Sequence, residues 1–232
     1  MGFGGQVTEE RSFRAIVVGA TGLVGAALVQ LLFDEPSCAG VTTLVRRDSG
    51  RNHPKLREHV VDFDRPQAWA DWVRGDVLFS ALGTTLEKAG SQAAQYRVDH
   101  TYQLSVATAA AENGVPSYVL VSAMGADPSS RLFYSRMKGE LERDVGALAF
   151  RRITLLRPGI LAGERAEVRR GERAALAVLR FVPRWPALAS LRPIGADVVA
   201  RAALVAGRAP EPGLHTWGPA ALFAAGDPGA AG

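Results

Sequence analysis

Ile16-Val17-Val18-Gly19-Ala20-Thr21-Gly22-Leu23-Val24-Gly25 decides how the rest of the chain reads. Three β-branched residues run into a turn holding Gly19, Thr21 and Gly22, and an apolar helical pattern follows. A buried strand that bends sharply into a helix has this form. Gly19 permits the turn, Gly22 lets backbone approach a pyrophosphate, and Gly25 lets helix and strand pack closely. The first helical N–H groups, around Leu23 and Val24, then point at an anion. The competing reading is a tight turn with incidental glycines. A second alternative is a membrane span, because Ala15 to Phe33 carries no charge over 19 residues. The glycines and the change from β-branched to helical pattern within it favour strand, turn and helix.

Outward from this unit, apolar runs alternate with helical stretches. Arg14–Val18, Val41–Val45, Val60–Phe63, Val77–Ala81, Tyr118–Ser122 and Ile153–Leu156 read as strands buried on both faces. Helices are predicted over Gly22–Leu32, Pro66–Val73, Ser91–Glu112, Phe133–Val145, near Ala174–Phe181, and over Asp197–Ala206. The alternation implies an α/β fold, a doubly wound parallel sheet of the Rossmann type, in one domain of 232 residues. Residues 12–161 form the cofactor-binding core and 162–218 a small C-terminal cap. Residues 1–11 and 219–232 read as mobile ends.

If the glycine turn holds a dinucleotide, the second strand carries the ribose discriminator. It ends in Leu44-Val45-Arg46-Arg47, with guanidiniums where a 2′-phosphate would sit, which favours NADP(H) over NAD(H). Two solvated arginines are the alternative. Asp62 is placed to accept from adenine, with Phe63 beside it, and Ala81-Leu82-Gly83-Thr84 would flank the adenosine ribose.

Tyr134 and Lys138 stand four apart on a predicted helix, hence on one face, and Ser122 ends the strand before it. A phenol near pKa 10 is a poor proton donor at neutral pH, and a nearby cation favours its ionised form. Tyr134 can then protonate a carbonyl oxygen as general acid, with Ser122 hydrogen-bonded to the same oxygen and Lys138 on the nicotinamide ribose. A core tyrosine with a surface lysine at i+4 has the same spacing. Composition shifts the balance: Lys55, Lys88 and Lys138 are the only lysines among 27 basic residues, leaving 27 − 3 = 24 arginines. A lysine at this place is therefore about a one-in-nine event.

The remaining composition excludes several classes. Hydrophobic residues are 47% and charged residues 22%, as in a globular protein, and the net charge of +4 gives no nucleic-acid footprint. One cysteine, Cys38, excludes a disulfide framework. The four histidines have no metal-ligand spacing, so no metal site is expected. Met1 to Phe13 has acidic residues and no apolar core, so no signal peptide is read and a cytoplasmic protein is expected. Partners are expected to be a small carbonyl substrate, without nucleic acid or membrane, in a monomer or small homo-oligomer.

These motifs in this order resemble the short-chain dehydrogenase/reductase superfamily, in its atypical NAD(P)-binding branch, and within it the Tat-interacting-protein-like oxidoreductases. The likeness rests on Gly19–Gly25, Leu44–Arg47, Val61-Asp62-Phe63, Leu82–Thr85, Lys88-Ala89-Gly90, Val98-Asp99, Ser122–Asp127, Tyr134–Glu140 and Arg157-Pro158-Gly159. The resemblance implies a Rossmann fold, NADPH, and Ser122, Tyr134 and Lys138 as the catalytic triad. It also sets Pro158, Gly159 and Ile160 against the nicotinamide. Many members place an asparagine in the helix after the fourth strand to complete a proton relay, and this chain offers Asp99 near that place. The 94 residues after Lys138 are few for a sugar-nucleotide epimerase or dehydratase. An NADP(H)-reading redox sensor with little turnover is the alternative function.

Overall fold

The computed structural model describes residues 12–162 and 193–226. Its centre is a parallel sheet of seven strands: β1 (Phe13–Val18), β2 (Cys38–Val45), β3 (Leu56–Val60), β4 (Val77–Ser80), β5 (Ser117–Val121), β6 (Arg152–Leu156) and β9 (Gly213–Trp217). They lie in the order β3-β2-β1-β4-β5-β6-β9. A separate two-stranded ladder joins β7 (Leu161–Ala162) to β8 (Ile194–Gly195). The helices are α1 (Leu23–Asp34), α2 (Leu86–Ala89), α3 (Gln92–Tyr96), α4 (Gln103–Glu112), α5 (Phe133–Gly146), α6 (Ala196–Arg208) and α7 (Pro219–Gly226). This is the doubly wound α/β fold that the alternation implies.

Pleating sends alternate side chains of β1 to opposite layers. Ala15 and Val17 join the core beneath α1, α6 and α7, with Leu28, Leu32, Ala203 and Leu222. Ile16 and Val18 join the core beneath α4 and α5, with Trp69, Val106, Leu141 and Val145. The 19-residue uncharged stretch is thus divided between β1 and α1. No helix among the described residues is long and apolar enough to cross a membrane. At the far end of α1, Lys55 Nζ donates to the carbonyls of Phe33 (2.8 Å) and Glu35 (2.7 Å). Leu28 is fully buried in the first core. Leu28→Ala should therefore cost about 2–5 kcal/mol in urea unfolding, the cost of a core cavity. A loss below 1 kcal/mol would mean that α1 is not packed here.

Several expected elements differ. The third strand is Leu56–Val60, not Val60–Phe63. As an edge strand it pairs only with β2 and carries charged residues between apolar ones, so it lacks the apolar run of a central strand. Pro66–Val73 is not one helix but two 3₁₀ turns, Pro66–Ala68 and Ala70–Trp72. Trp69 is buried between them with its indole N–H on Asp62 O at 2.9 Å, and the Asn113 amide donates to the carbonyls of Ala70 and Val73. The helix expected over Ser91–Glu112 carries a π turn, Arg97–Tyr102, between α3 and α4. The end expected to be mobile from 219 holds α7. Of the expected cap, 163–192, including the helix near Ala174–Phe181, lies outside the described residues. Its remainder instead supplies α6, packed on α1, and β9, the seventh strand of the main sheet.

Candidate active site

In a parallel sheet, ligands bind beyond the carboxyl ends of the strands where the order reverses, here between β1 and β4. Two adjoining cavities open at this place, of ≈ 380 Å³ and ≈ 780 Å³, and share Thr21, Gly22, Arg46, Ala81, Leu82 and Gly83. The glycine turn forms their common wall. Gly19 has φ +78°, and a Cβ there would lie 2.4 Å from the Ala81 carbonyl. Its own carbonyl accepts from Gly22 N at 3.0 Å. A Cβ on Gly25 would stand 2.1 Å from Gly19 O, so Gly25 lets α1 close on β1 rather than lining either cavity. No side chain caps the N-terminus of α1, whose first-turn residues Leu23 and Val24 line the larger cavity. The turn thus offers bare backbone at a concave wall, which fits a pyrophosphate.

The smaller cavity holds Arg46 and Arg47 from the end of β2, with Leu44 and Phe63. Asp48 also borders it, but its carboxylate accepts from Gly50 N at 2.7 Å and serves its own loop. Arg51, which the sequence reading passed over, reaches back to donate to Ala20 O at 2.9 Å. Asp62 does not reach either cavity. It is exposed, accepts from Asp64 N at 3.0 Å and pairs with Arg65 at 3.6 Å.

Ser122, Tyr134 and Lys138 line the larger cavity together with Thr84, Lys88, Val98, Asp99 and Leu161. Residues from β5 and from α5 thus converge at one sheet edge. Tyr134 is 46% exposed in the first turn of α5, whereas Lys138, one turn deeper, is only 3% exposed. The ammonium lies 5.9 Å from the phenol ring centroid. Ser122 is buried, and its Oγ finds no partner among the described residues although it borders the cavity. A bound ligand or an ordered water would satisfy this hydroxyl. Pro158, Gly159 and Ile160 do not line either cavity. Pro158 O accepts from Met124 N at 2.9 Å, tying the loop after β6 to the one after β5. Glu142 pairs with Arg157 at the root of that loop, and this hydrogen bond holds the guanidinium above its usual arginine range.

The pairing least legible in advance is that of Asp99 with Lys138. The π turn carries Asp99 to Lys138, Oδ1 to Nζ 3.2 Å, with both side chains almost wholly buried. The two stand 39 positions apart, so no spacing rule joins them. Leu161 enters the cavity without a local signal, and Lys88 with only the Lys88-Ala89-Gly90 resemblance to mark it.

Known proteins bear on this geometry. An oxidoreductase of the short-chain dehydrogenase/reductase family from Burkholderia thailandensis superposes with a TM-score of 0.67 at 21% identity, covering 90% of this chain and 92% of that one. UDP-glucose 4-epimerase of Thermotoga maritima does so with 0.63 at 15% identity, covering 88% and 76%. These likenesses show the fold. Among curated relatives, the mitochondrial protein FMP52 of Eremothecium gossypii is 43% identical over 166 residues, 71% of this chain and 73% of its own. Its counterpart in Aspergillus fumigatus is 37% identical over 206 residues, covering 82% and 85%. These relatives carry that name rather than the Tat-interacting one the motifs suggest. Their mitochondrial designation overturns the cytoplasmic expectation, which rested only on the lack of an apolar leader in Met1–Phe13. An apolar leader is the mark of secretion; mitochondrial addressing uses amphipathic, arginine-rich segments, so its absence does not bear on that compartment. The family described as NAD(P)H-binding matches over residues 19–174, two thirds of the chain, starting at the glycine that turns β1 toward α1, and to that family the protein belongs.

Proposed function

We propose that the protein is an NADPH-dependent oxidoreductase that reduces a small carbonyl compound, acting as a monomer or small homo-oligomer without nucleic acid or membrane. The observation that carries this reading is the meeting of Ser122, Tyr134 and Lys138 on one cavity with the glycine turn. When bound, NADPH supplies a hydride from its nicotinamide C4 to the carbonyl carbon. Tyr134 Oη donates its proton to the carbonyl oxygen, so that the product is the alcohol. Ser122 Oγ–H donates to the same oxygen and finds there the partner it otherwise lacks. Lys138 favours the phenolate left behind and holds the nicotinamide ribose hydroxyls. The exposure of Tyr134 gives its phenolate direct access to solvent for a new proton. The test is turnover of a broad panel of aldehydes, ketones and quinones with saturating NADPH. Reduction of none of them sinks the reading.

NADP(H) is favoured over NAD(H) by the two guanidiniums at the end of β2. Replacing both Arg46 and Arg47 with Ala should raise KM for NADPH about ten- to a hundredfold, the worth of one or two charge-assisted hydrogen bonds. KM for NADH should hardly move. An equal change for both dinucleotides would mean that neither arginine reads the 2′-phosphate.

A further inference from the structure

We propose that Asp99 is a positioning residue for this chemistry: as the buried counter-ion of Lys138 it holds that ammonium beside Tyr134, while its second oxygen anchors the loop after β4. The inference rests on the reductase reading for its consequence in turnover, but not for the pairing itself. Asp99 is 2% exposed and Lys138 3%. Oδ1 lies 3.2 Å from Nζ, and Oδ2 accepts from Thr84 N at 2.8 Å. Burial of either charge alone is costly, so the two hold each other in the interior.

The surroundings are built to keep the carboxylate there. The π turn places an extra residue in the helix, which re-aims the side chains it carries. Asp99 O accepts from Gln103 Nε2 at 2.7 Å, and Gln103 Oε1 accepts from Ser80 Oγ at 2.6 Å. Gln95 Nε2 donates to Thr84 O at 3.1 Å, fixing the loop from its other side. One residue therefore links the cofactor wall at Thr84 to the helix that carries the proton donor.

The other charged groups nearby are engaged elsewhere or lie across the cavity. His100, on the same π turn, faces Asp144 of α5 at 3.0 Å and stacks on Tyr96. Glu142 of α5 takes Arg157. Glu112 is exposed at the far end of α4. Lys88 on α2 and Arg46 after β2 line the same cavity and add positive charge, so Asp99 is the one carboxylate lining it among the described residues.

Three lysines in the chain make the pair directly observable. Protein labelled with ¹³Cε-lysine and free of nucleotide gives three signals, and Lys138→Gln identifies one of them. In Asp99→Asn the Lys138 signal should titrate at lower pH than in the native protein, because a buried ammonium without a counter-charge loses its proton more readily. Asp99→Glu should return it toward the native midpoint. With a turned-over carbonyl, the alkaline limb of the kcat profile should leave its native position in Asp99→Asn and return toward it in Asp99→Glu.

An unmoved Lys138 signal overturns the proposal, as does a loss of stability with both pH profiles unchanged, which is the signature of a merely structural aspartate. If Asp99→Asn fails to fold, the double variant D99N/K138Q carries no lone buried charge and must fold. Its failure would leave Asp99 an anchor for Thr84 only and overturn the pairing role. Should the native protein reduce no carbonyl at all, the reductase reading falls while the lysine titration still decides this one.

Discussion

Tyr134→Phe lowers kcat for carbonyl reduction by about two to four orders of magnitude and leaves NADPH affinity near its native value. The phenol is half exposed and its ring touches solvent, so loss of one hydroxyl removes little packing. What goes is the proton that meets the developing negative charge on the carbonyl oxygen. Without it the alkoxide must form unprotonated in a cavity that holds Ser122 as a neutral donor. Stopped-flow reduction and a fluorescence titration on the same preparation separate the two quantities. Joint loss of turnover and affinity would make Tyr134 a structural residue, and unchanged turnover would remove it from the chemistry.

Gly25→Val has the second large effect, and it acts through backbone. The Cβ would sit 2.1 Å from Gly19 O, the carbonyl that closes the turn by accepting from Gly22 N. No flexible side chain stands there to move aside, so α1 must lift off β1. That lift opens the layer containing Val17, Leu28 and Leu32 and distorts the bare N-terminal turn of the helix. The expected result is a loss of more than about 4 kcal/mol of stability, at the extreme of single substitutions, with NADPH binding below detection. Thermal unfolding and nucleotide titration read both. Native affinity in this variant would show that the dinucleotide does not sit on the turn.

The parts of the fold that announce themselves are those whose local pattern and final environment agree. β1, β4, β5 and β6 lie inside the sheet, buried on both faces, and their apolar runs say so. The edges obey a different rule. β3 and β9 each pair on one side only, and Leu56–Val60 and Gly213–Trp217 mix polar with apolar residues, so neither stands out from a loop. Val61-Asp62-Phe63 misleads for a related reason. Val61 and Phe63 are buried beneath the sheet's flank after the strand has ended. At the site, the i, i+4 spacing of Tyr134 and Lys138 is visible because one helix carries both. The π turn is invisible because it breaks the 3.6-residue period on which helix reading depends, and with it goes the pairing of Asp99 with Lys138.

The packing of α1 against α6 also sets a timetable. α1 ends at Asp34, and its partner in the same core begins at Ala196. On a ribosome adding about 5–20 residues per second, the first helix waits on the order of ten seconds for the surface that covers it. During that interval Leu28 and Leu32 have only the sheet beneath them, and contacts so distant in sequence form slowly in any case. The nucleotide-binding edge of the sheet is therefore made well before the helix that covers its flank, and until then the nascent chain leaves that apolar flank open to a chaperone.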